Sequence, residues 1–120
     1  IRLIEQVKSA IIELIYNKNN DLKANLSDYI SDKVYYDYNY ISNLFSEVEH
    51  TTIEKYFIAQ KIERVKELLV YDELSLSEIA DLLNYSSTAH LSAQFKKVTG
   101  LTPSYFKKIK ENKRKPLDQV

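Results

Sequence analysis

The residues best suited to chemistry lie between positions 84 and 100, in the stretch NYSSTAHLSAQFKKVTG. Leu91 and Phe95 are four residues apart and would share one face of a helix. The opposite face then carries small or polar side chains. Such a face can lie close to DNA base edges, because alanine and threonine methyls contact thymine methyls and hydroxyls can donate or accept hydrogen bonds. The stretch therefore predicts either a helix that enters the major groove or an ordinary helical hairpin with a polar outer face.

Individual residues of this helix have distinct expected roles. We expect Ser87 to cap it, leaving backbone N–H groups and the positive end of the helix dipole for a phosphate. We expect Leu91, Phe95 and Val98 to face inward. The candidate DNA contacts are Ser87, Thr88, Ala89, His90, Ser92, Ala93, Lys96 and Lys97.

The formal net charge is zero at pH 7, but the charges are unevenly distributed along the chain. Residues 1–60 carry 6 basic and 9 acidic side chains, whereas residues 61–120 carry 11 and 8. Within residues 86–115, eight basic side chains accompany one acid, Glu111. Such a basic face attracts polyanions whatever the charge of the whole chain. The alternative interpretation is a solvated helix end followed by a frayed tail.

Residues that could support catalysis or bind a metal are sparse. His50 and His90 are 40 residues apart without companion metal ligands. The sequence contains neither the G-x-G-x-x-G motif nor the G-x-x-x-x-G-K-[ST] motif of phosphate-binding loops. The absence of cysteine excludes a disulfide framework and suits a reducing cytoplasm. No apolar run approaches the roughly 18 residues of a membrane helix. We therefore expect a cytoplasmic protein that is not an enzyme, with no cofactor, no metal site and no membrane contact.

Apolar periodicity predicts seven helices and no convincing strand. The first helix carries a stripe of apolar residues between positions 4 and 15 and should end in the turn-like NKNND. The fourth is the longest, covering residues 52–70, or about 28 Å at ~1.5 Å per residue. Expected starts of the other helices are Ser27 for the second, Asp37 for the third, Ser75 or Ser77 for the fifth, Ser87 for the sixth and Pro103 for the seventh.

An internal repeat relates the two halves of the chain. Residues 26–53 align without a gap on residues 76–103, and identical pairs include Leu26 and Leu76, Ser27 and Ser77, Tyr35 and Tyr85, Ser42 and Ser92, and Phe45 and Phe95. Each copy contains two short helices and a turn, the pattern of a helix-turn-helix. In the second copy we expect Asn84 to be the left-handed turn residue and Tyr85 to plug the turn from inside.

The segment LSLSEIADLLNYSSTAHLSAQFKKVTGLTPSYFKK resembles the signature region of AraC/XylS-type bacterial transcription regulators, including its FKKVTGLTPSYF ending. The resemblance spans the whole chain and is looser in the first half. It implies an all-α DNA-binding domain that sets two recognition helices into successive major grooves, usually C-terminal to a sensory domain. The base contacts that it implies are Thr88, Ala89, Ser92 and Ala93 in the second copy and Tyr38, Asn39, Ser42 and Asn43 in the first.

The sequence departs from the family pattern at two places. Ala93 occupies a position where the family often has arginine, so a strong guanine contact is missing. We expect specificity either to be weaker or to rest more on DNA shape. In the first copy Glu47 and Glu49 replace Lys97 and Thr99 of the second. The first copy either docks on DNA with these acids angled away from the phosphates, or it contacts a protein.

We therefore expect an all-α fold in which two helix-turn-helix subdomains are joined by a long linker helix. The expected division is a first subdomain at 1–51, a linker helix at 52–70, a second subdomain at 71–110 and a basic tail at 111–120. The expected function is sequence-specific binding of double-stranded DNA by a bacterial transcription regulator, with RNA polymerase and an N-terminal sensory domain as further partners. The alternative is a helical protein-interaction module that uses an acidic, degenerate first helix-turn-helix.

Overall fold

The computed structural model describes residues 2–17 and 25–114, which form seven α-helices and, within those ranges, no strand. This confirms the all-α prediction. The helices are α1 (Arg2–Asn17), α2 (Leu26–Val34), α3 (Tyr38–Glu49), α4 (Ile53–Tyr71), α5 (Leu76–Leu82), α6 (Thr88–Thr99) and α7 (Pro103–Arg114). The NKNND turn, beyond its first residue, and the last six residues of the expected basic tail lie outside the described residues.

The chain divides into two compact units, residues 1–61 and 62–120. The first unit contains α1, α2, α3 and the first half of α4. The second contains the rest of α4 together with α5, α6 and α7. The long helix α4 corresponds to the predicted linker helix, and each unit contains one helix-turn-helix.

The core of the first unit is built from the apolar stripe of α1 and one apolar face of each following helix. Its largest side chain is Phe45 of α3, which is fully buried and meets Tyr56 of α4 edge-on, with ring centroids 5.6 Å apart. The remaining buried members of this cluster are Ile4, Val7, Ile11, Ile15, Ile30, Val34, Ile41 and Ile53. Phe45 therefore anchors the recognition helix of this unit.

Phe95 has the same role in the second unit. It is fully buried and meets Phe106 of α7 edge-on, with ring centroids 5.6 Å apart. The other buried apolar residues of this unit are Ile62, Val65, Leu69, Ile79, Ala80, Leu83, Tyr85 and Leu91. The inward positions expected for Leu91 and Phe95 are confirmed, but the one expected for Val98 is wrong. Val98 is 46% exposed, because it lies in the last turn of α6, beyond the part of the helix that the core covers.

Helix caps recur at the 50-residue spacing of the sequence repeat. Ser75 caps α5 in a complete capping box: its Oγ accepts from the Glu78 N–H at 3.1 Å, and Glu78 Oε1 accepts from the Ser75 N–H at 2.8 Å. Asn25 caps α2 at the matching position, through a 2.9 Å bond from the Asp28 N–H to its Oδ1. The expected cap at Ser27 is wrong, because Asn25 takes that role and Ser27 donates its hydroxyl to the Asn25 side chain at 2.7 Å.

The turns inside the two helix-turn-helix units differ, although the gapless repeat aligns Tyr35 with Tyr85. Asn84 adopts the expected left-handed conformation (φ 62°), and Tyr85 after it is only 6% exposed. In the first unit the left-handed residue is Tyr35 itself (φ 62°), and its side chain is 90% exposed. Helix α2 is two residues longer than α5, so the turn that follows it is shorter and Tyr35 cannot serve as a plug.

Both recognition helices end in a left-handed residue, which is His50 in α3 (φ 60°) and Gly100 in α6 (φ 82°). Only glycine adopts this conformation without strain. We expect His50→Gly to stabilise the first unit by about 0.5–1 kcal/mol, because relief of the left-handed strain outweighs the extra freedom of glycine in the unfolded chain. Gly100→Ala should destabilise the second by a similar amount, because a Cβ there meets nothing within 4 Å and the cost lies in φ alone.

Urea denaturation of the two variants measures this pair of opposite effects. A loss of stability in His50→Gly would show that the imidazole makes a stabilising contact that outweighs the backbone strain. Gly100→Ala is the matched control, because it tests the same backbone conformation in the other unit.

Candidate nucleic-acid interface

The recognition helix α6 presents a face of small and polar side chains opposite its buried side. Leu91 and Phe95 fix the inner side, since both are fully buried. Ala89, Ala93 and Lys96 are exposed on the outer side. Alanine side chains are short, so a ligand can approach the helix backbone closely there. Thr88 and Ser92 are half-buried at the edges of this face, where their hydroxyls border it.

The N-terminus of α6 is organised by three consecutive polar or aromatic residues. Ser87 Oγ accepts a hydrogen bond from the His90 N–H at 3.0 Å, which confirms the expected cap. Ser86 Oγ lies 3.1 Å from His90 Nδ1, and the Tyr85 ring meets the imidazole edge-on at 5.2 Å. His90 is therefore exposed but held in one orientation beside the helix N-terminus.

Tyr85, the buried residue of the turn, also connects the turn to the recognition helix. Its hydroxyl donates to Gln94 Oε1 at 2.7 Å. Burial raises the pKa of Tyr85 well above its usual value, so the phenol stays protonated and keeps donating this bond. The recognition helix is thereby fixed to the turn by a buried ring and by a hydrogen bond.

The basic residues of the second unit are not equally available to an anion. Lys96 and Lys97 are exposed at the end of α6, and Lys108 is exposed on α7. Lys107 instead forms an ion pair with Asp72, and hydrogen bonding to that carboxylate raises the pKa of Lys107. Lys110 lies over the Phe106 ring, 5.5 Å from its centroid. The positive charge closest to the outer face of α6 is therefore that of Lys96 and Lys97.

In the first unit, α3 presents amides where α6 presents alanines. Asn39 and Asn43 are exposed and lie one turn apart, and Ser42 is half-buried beside them. Tyr38 is different, because its hydroxyl donates to Glu54 of α4. Burial and that hydrogen bond raise the pKa of Tyr38 above its usual value. Tyr38 thus ties α3 to α4, whereas the other three predicted residues border the outer face.

The sequence prediction omitted two exposed aromatic residues beside this face. Tyr36 and Tyr40 are 50% and 54% exposed, and their rings stack with centroids 5.7 Å apart. The repeat carried a signal for Tyr40, because this position aligns with His90, which is among the candidate DNA contacts.

The two acids of α3 have different environments. Glu49 forms a 2.7 Å ion pair with Lys8 of α1, and its hydrogen bond raises the pKa of Lys8. Glu47 is exposed on α3. Glu49 is therefore engaged within the first unit, and Glu47 is the acid that an incoming ligand would meet.

Two other features are absent from residues 2–17 and 25–114. There, no three His, Asp or Glu side chains come together in a way that could hold a metal ion. No helix among the same residues has the length and apolar character needed to cross a membrane.

Comparison with known proteins assigns the fold to a family. The profile of a helix-turn-helix domain matches residues 30–109, about two thirds of the chain. The melibiose operon regulatory protein of Escherichia coli K12 is 26% identical over 97 residues, which cover 81% of this chain and 32% of that protein. The chain spans 14–32% of the length of the curated relatives that it matches.

Two solved structures share the fold over most of their length. The C-terminal domain of AraT, a response regulator from Geobacillus stearothermophilus, superposes with a TM-score of 0.77 at 19% identity, covering 91% of this chain and 86% of that one. The DNA-binding domain of the global transcriptional factor AdpA, solved with a target DNA, superposes with a TM-score of 0.69 at 16% identity, covering 88% and 96%. The chain therefore belongs to the AraC/XylS-type helix-turn-helix family of DNA-binding transcription regulators.

Proposed function

We propose that this chain binds double-stranded DNA sequence-specifically, as the DNA-binding domain of a bacterial transcription regulator. Each recognition helix, α6 and α3, would read one of two successive major-groove half-sites. The observation that carries the proposal is the outer face of α6, where exposed Ala89 and Ala93 lie between a capped N-terminus and exposed lysines. This face lets the helix backbone approach base edges while the flanking groups hold phosphates.

The proposed base contacts differ between the two helices. On α6 we assign them to Thr88, Ala89, Ser92 and Ala93, with Ser87, His90, Lys96 and Lys97 at the backbone. The methyl groups of the base-contacting residues suit thymine methyls, and their hydroxyls can bond both donors and acceptors on base edges. On α3 we assign base contacts to Asn39, Ser42 and Asn43, because an exposed amide can bond adenine through two hydrogen bonds. The hydrogen bond of Tyr38 to Glu54 favours a positioning role for that residue.

Two further partners are proposed, a sensory domain and RNA polymerase. The curated relatives are several times longer than this chain, and we propose that a sensory domain lies N-terminal to it in the full protein. RNA polymerase is the second proposed partner, since a regulator bound beside a promoter can act through it.

Selection of bound duplexes from a random pool tests the proposed function. We expect enrichment of a site of about 15–20 base pairs containing two unlike half-sites, because α3 and α6 expose different side chains. Enrichment of no sequence would contradict sequence-specific binding and would favour a protein-interaction module.

Salt dependence tests the backbone contacts. If Lys97 neutralises a phosphate, Lys97→Ala should reduce the slope of log affinity against log salt by about 0.9. The preferred sequence should not change. Lys107→Ala is the matched control and should alter the slope less, because Asp72 already pairs with Lys107. An unaltered slope in Lys97→Ala would exclude Lys97 from the interface.

The acids of α3 give a further prediction. Glu47→Gln should tighten binding to every duplex alike, since it removes an exposed negative charge beside the proposed interface. Glu49→Gln should instead lower the thermal midpoint slightly, because it breaks the ion pair with Lys8. If Glu47→Gln left DNA affinity unchanged but abolished transcription in cells, Glu47 would face a protein partner instead.

A further inference from the structure

The recognition helix of the first unit, α3, carries no positive charge of its own that would hold it on DNA. Helix α3 contains no lysine or arginine, whereas α6 ends with Lys96 and Lys97. At the repeat position of Lys97, α3 carries the exposed acid Glu47. If α3 docks in a major groove, uncharged groups must make its contacts to the sugar–phosphate backbone.

The stacked tyrosines are placed to make those contacts. Tyr40 lies three residues before Asn43 and seven before Glu47, so all three share one edge of α3. The corresponding edge of α6 runs from His90 to Lys97. Tyr36 precedes the helix and stacks on Tyr40 at 5.7 Å, which places two phenol groups together near the start of this edge.

Both tyrosines are held before any ligand arrives. The Ser31 hydroxyl donates to the backbone carbonyl of Tyr36, which fixes the turn. Asp37 caps α3 directly after it, with Oδ2 accepting from the Asn39 N–H at 3.0 Å. Because the two rings already stack on each other, they lose less side-chain entropy on binding than two separate tyrosines would. Such preorganisation suits a contact that has no charge to strengthen it.

We propose that Tyr36 and Tyr40 bind the DNA sugar–phosphate backbone beside α3, donating their phenol hydroxyls to phosphate oxygens. This inference rests on the proposed function. Tyrosine hydroxyls are among the groups that commonly contact phosphates in protein–DNA complexes. A neutral hydroxyl does not neutralise a phosphate and so releases no counterions. The contact therefore adds affinity without adding to the salt dependence of binding. Helix α3 thus binds the backbone through neutral donors and helix α6 through lysines.

The double variant Tyr36→Phe/Tyr40→Phe tests the inference while retaining both rings and their stacking. We expect its affinity for the selected duplex to fall about 10-fold, the effect of two lost neutral hydrogen bonds. The slope of log affinity against log salt should stay that of the wild type. Tyr35→Phe is the matched control, because Tyr35 is the neighbouring exposed tyrosine outside the stack, and it should bind like the wild type.

Phosphate ethylation interference localises the contact. Ethylated phosphates that block the wild-type protein at the α3 half-site should no longer block the double variant, while those at the α6 half-site should block both. Unchanged affinity of the double variant, or an equal loss in Tyr35→Phe, would overturn the inference alone. Failure of the wild-type protein to bind any duplex would overturn the proposed function as well.

Discussion

Replacing Phe95 with Ala is expected to destabilise the second unit by about 3–5 kcal/mol, enough to unfold a marginally stable domain. The ring is fully buried and packs edge-on against Phe106. Its removal would leave a cavity at the base of α6 and detach the recognition helix from the core. Hydrogen exchange measured by mass spectrometry should show the loss of protection in peptides from residues 62–114.

Phe45→Ala is the matched variant, because Phe45 occupies the same repeat position and is equally buried. Its loss of protection should be largest in peptides from the first unit. A Phe95→Ala protein that kept its full stability but lost DNA binding would contradict the packing described here, since it would mean that Phe95 faces the DNA.

Replacing Ala93 with Glu is expected to weaken DNA binding about 100-fold or more, without changing the stability of the fold. Ala93 is exposed at the centre of the outer face of α6. A carboxylate there would oppose the negative potential of the groove, and like-charge juxtaposition in an interface costs several kcal/mol. Titration of the selected duplex by fluorescence anisotropy measures the loss.

Ala93→Gln separates charge from size, because glutamine has the shape of glutamate and a similar helix propensity. We expect it to bind more tightly than Ala93→Glu and with altered base preference. Equal affinities of wild type and Ala93→Glu for the selected duplex would show that this face of α6 lies outside the interface.

Local signals in the sequence were sufficient for the helices and for most of their caps. Asp37, Ser75 and Ser87 each precede an apolar periodic run, and each side chain caps the helix that follows. The second helix was misjudged at its start because Asn25 and Ser27 are both good cap residues, two positions apart. Sequence alone does not decide between such neighbours.

The differences that matter for the candidate interface depend on contacts distant in sequence. A gapless alignment hid the shorter turn of the first unit, so Tyr35 was matched to a buried residue although it lies outside. The bond from Tyr38 to Glu54 joins residues 16 positions apart, and the pairing of Lys107 with Asp72 joins α7 to the end of α4. No local pattern encodes these pairs.

The outer face of α6 lies where the sequence predicted it. Ala89, Ala93 and Lys96 are exposed and Leu91 is buried, as the four-residue spacing of the apolar pair predicts. The assignment of these residues to DNA contacts stays a prediction. The stacked pair Tyr36 and Tyr40 was missed because the family resemblance implied only Tyr38, Asn39, Ser42 and Asn43 as contacts in the first copy.

We expect each recognition helix to read its own half-site, and duplex selection repeated with one variant in each helix tests this. Ala93→Arg should change the preferred bases in one half-site only, towards guanine, by about 1–3 kcal/mol per affected pair. Asn43→Ala should relax the preference in the other half-site only. Changes by both variants in the same half-site, or unchanged preferences in both, would contradict the account.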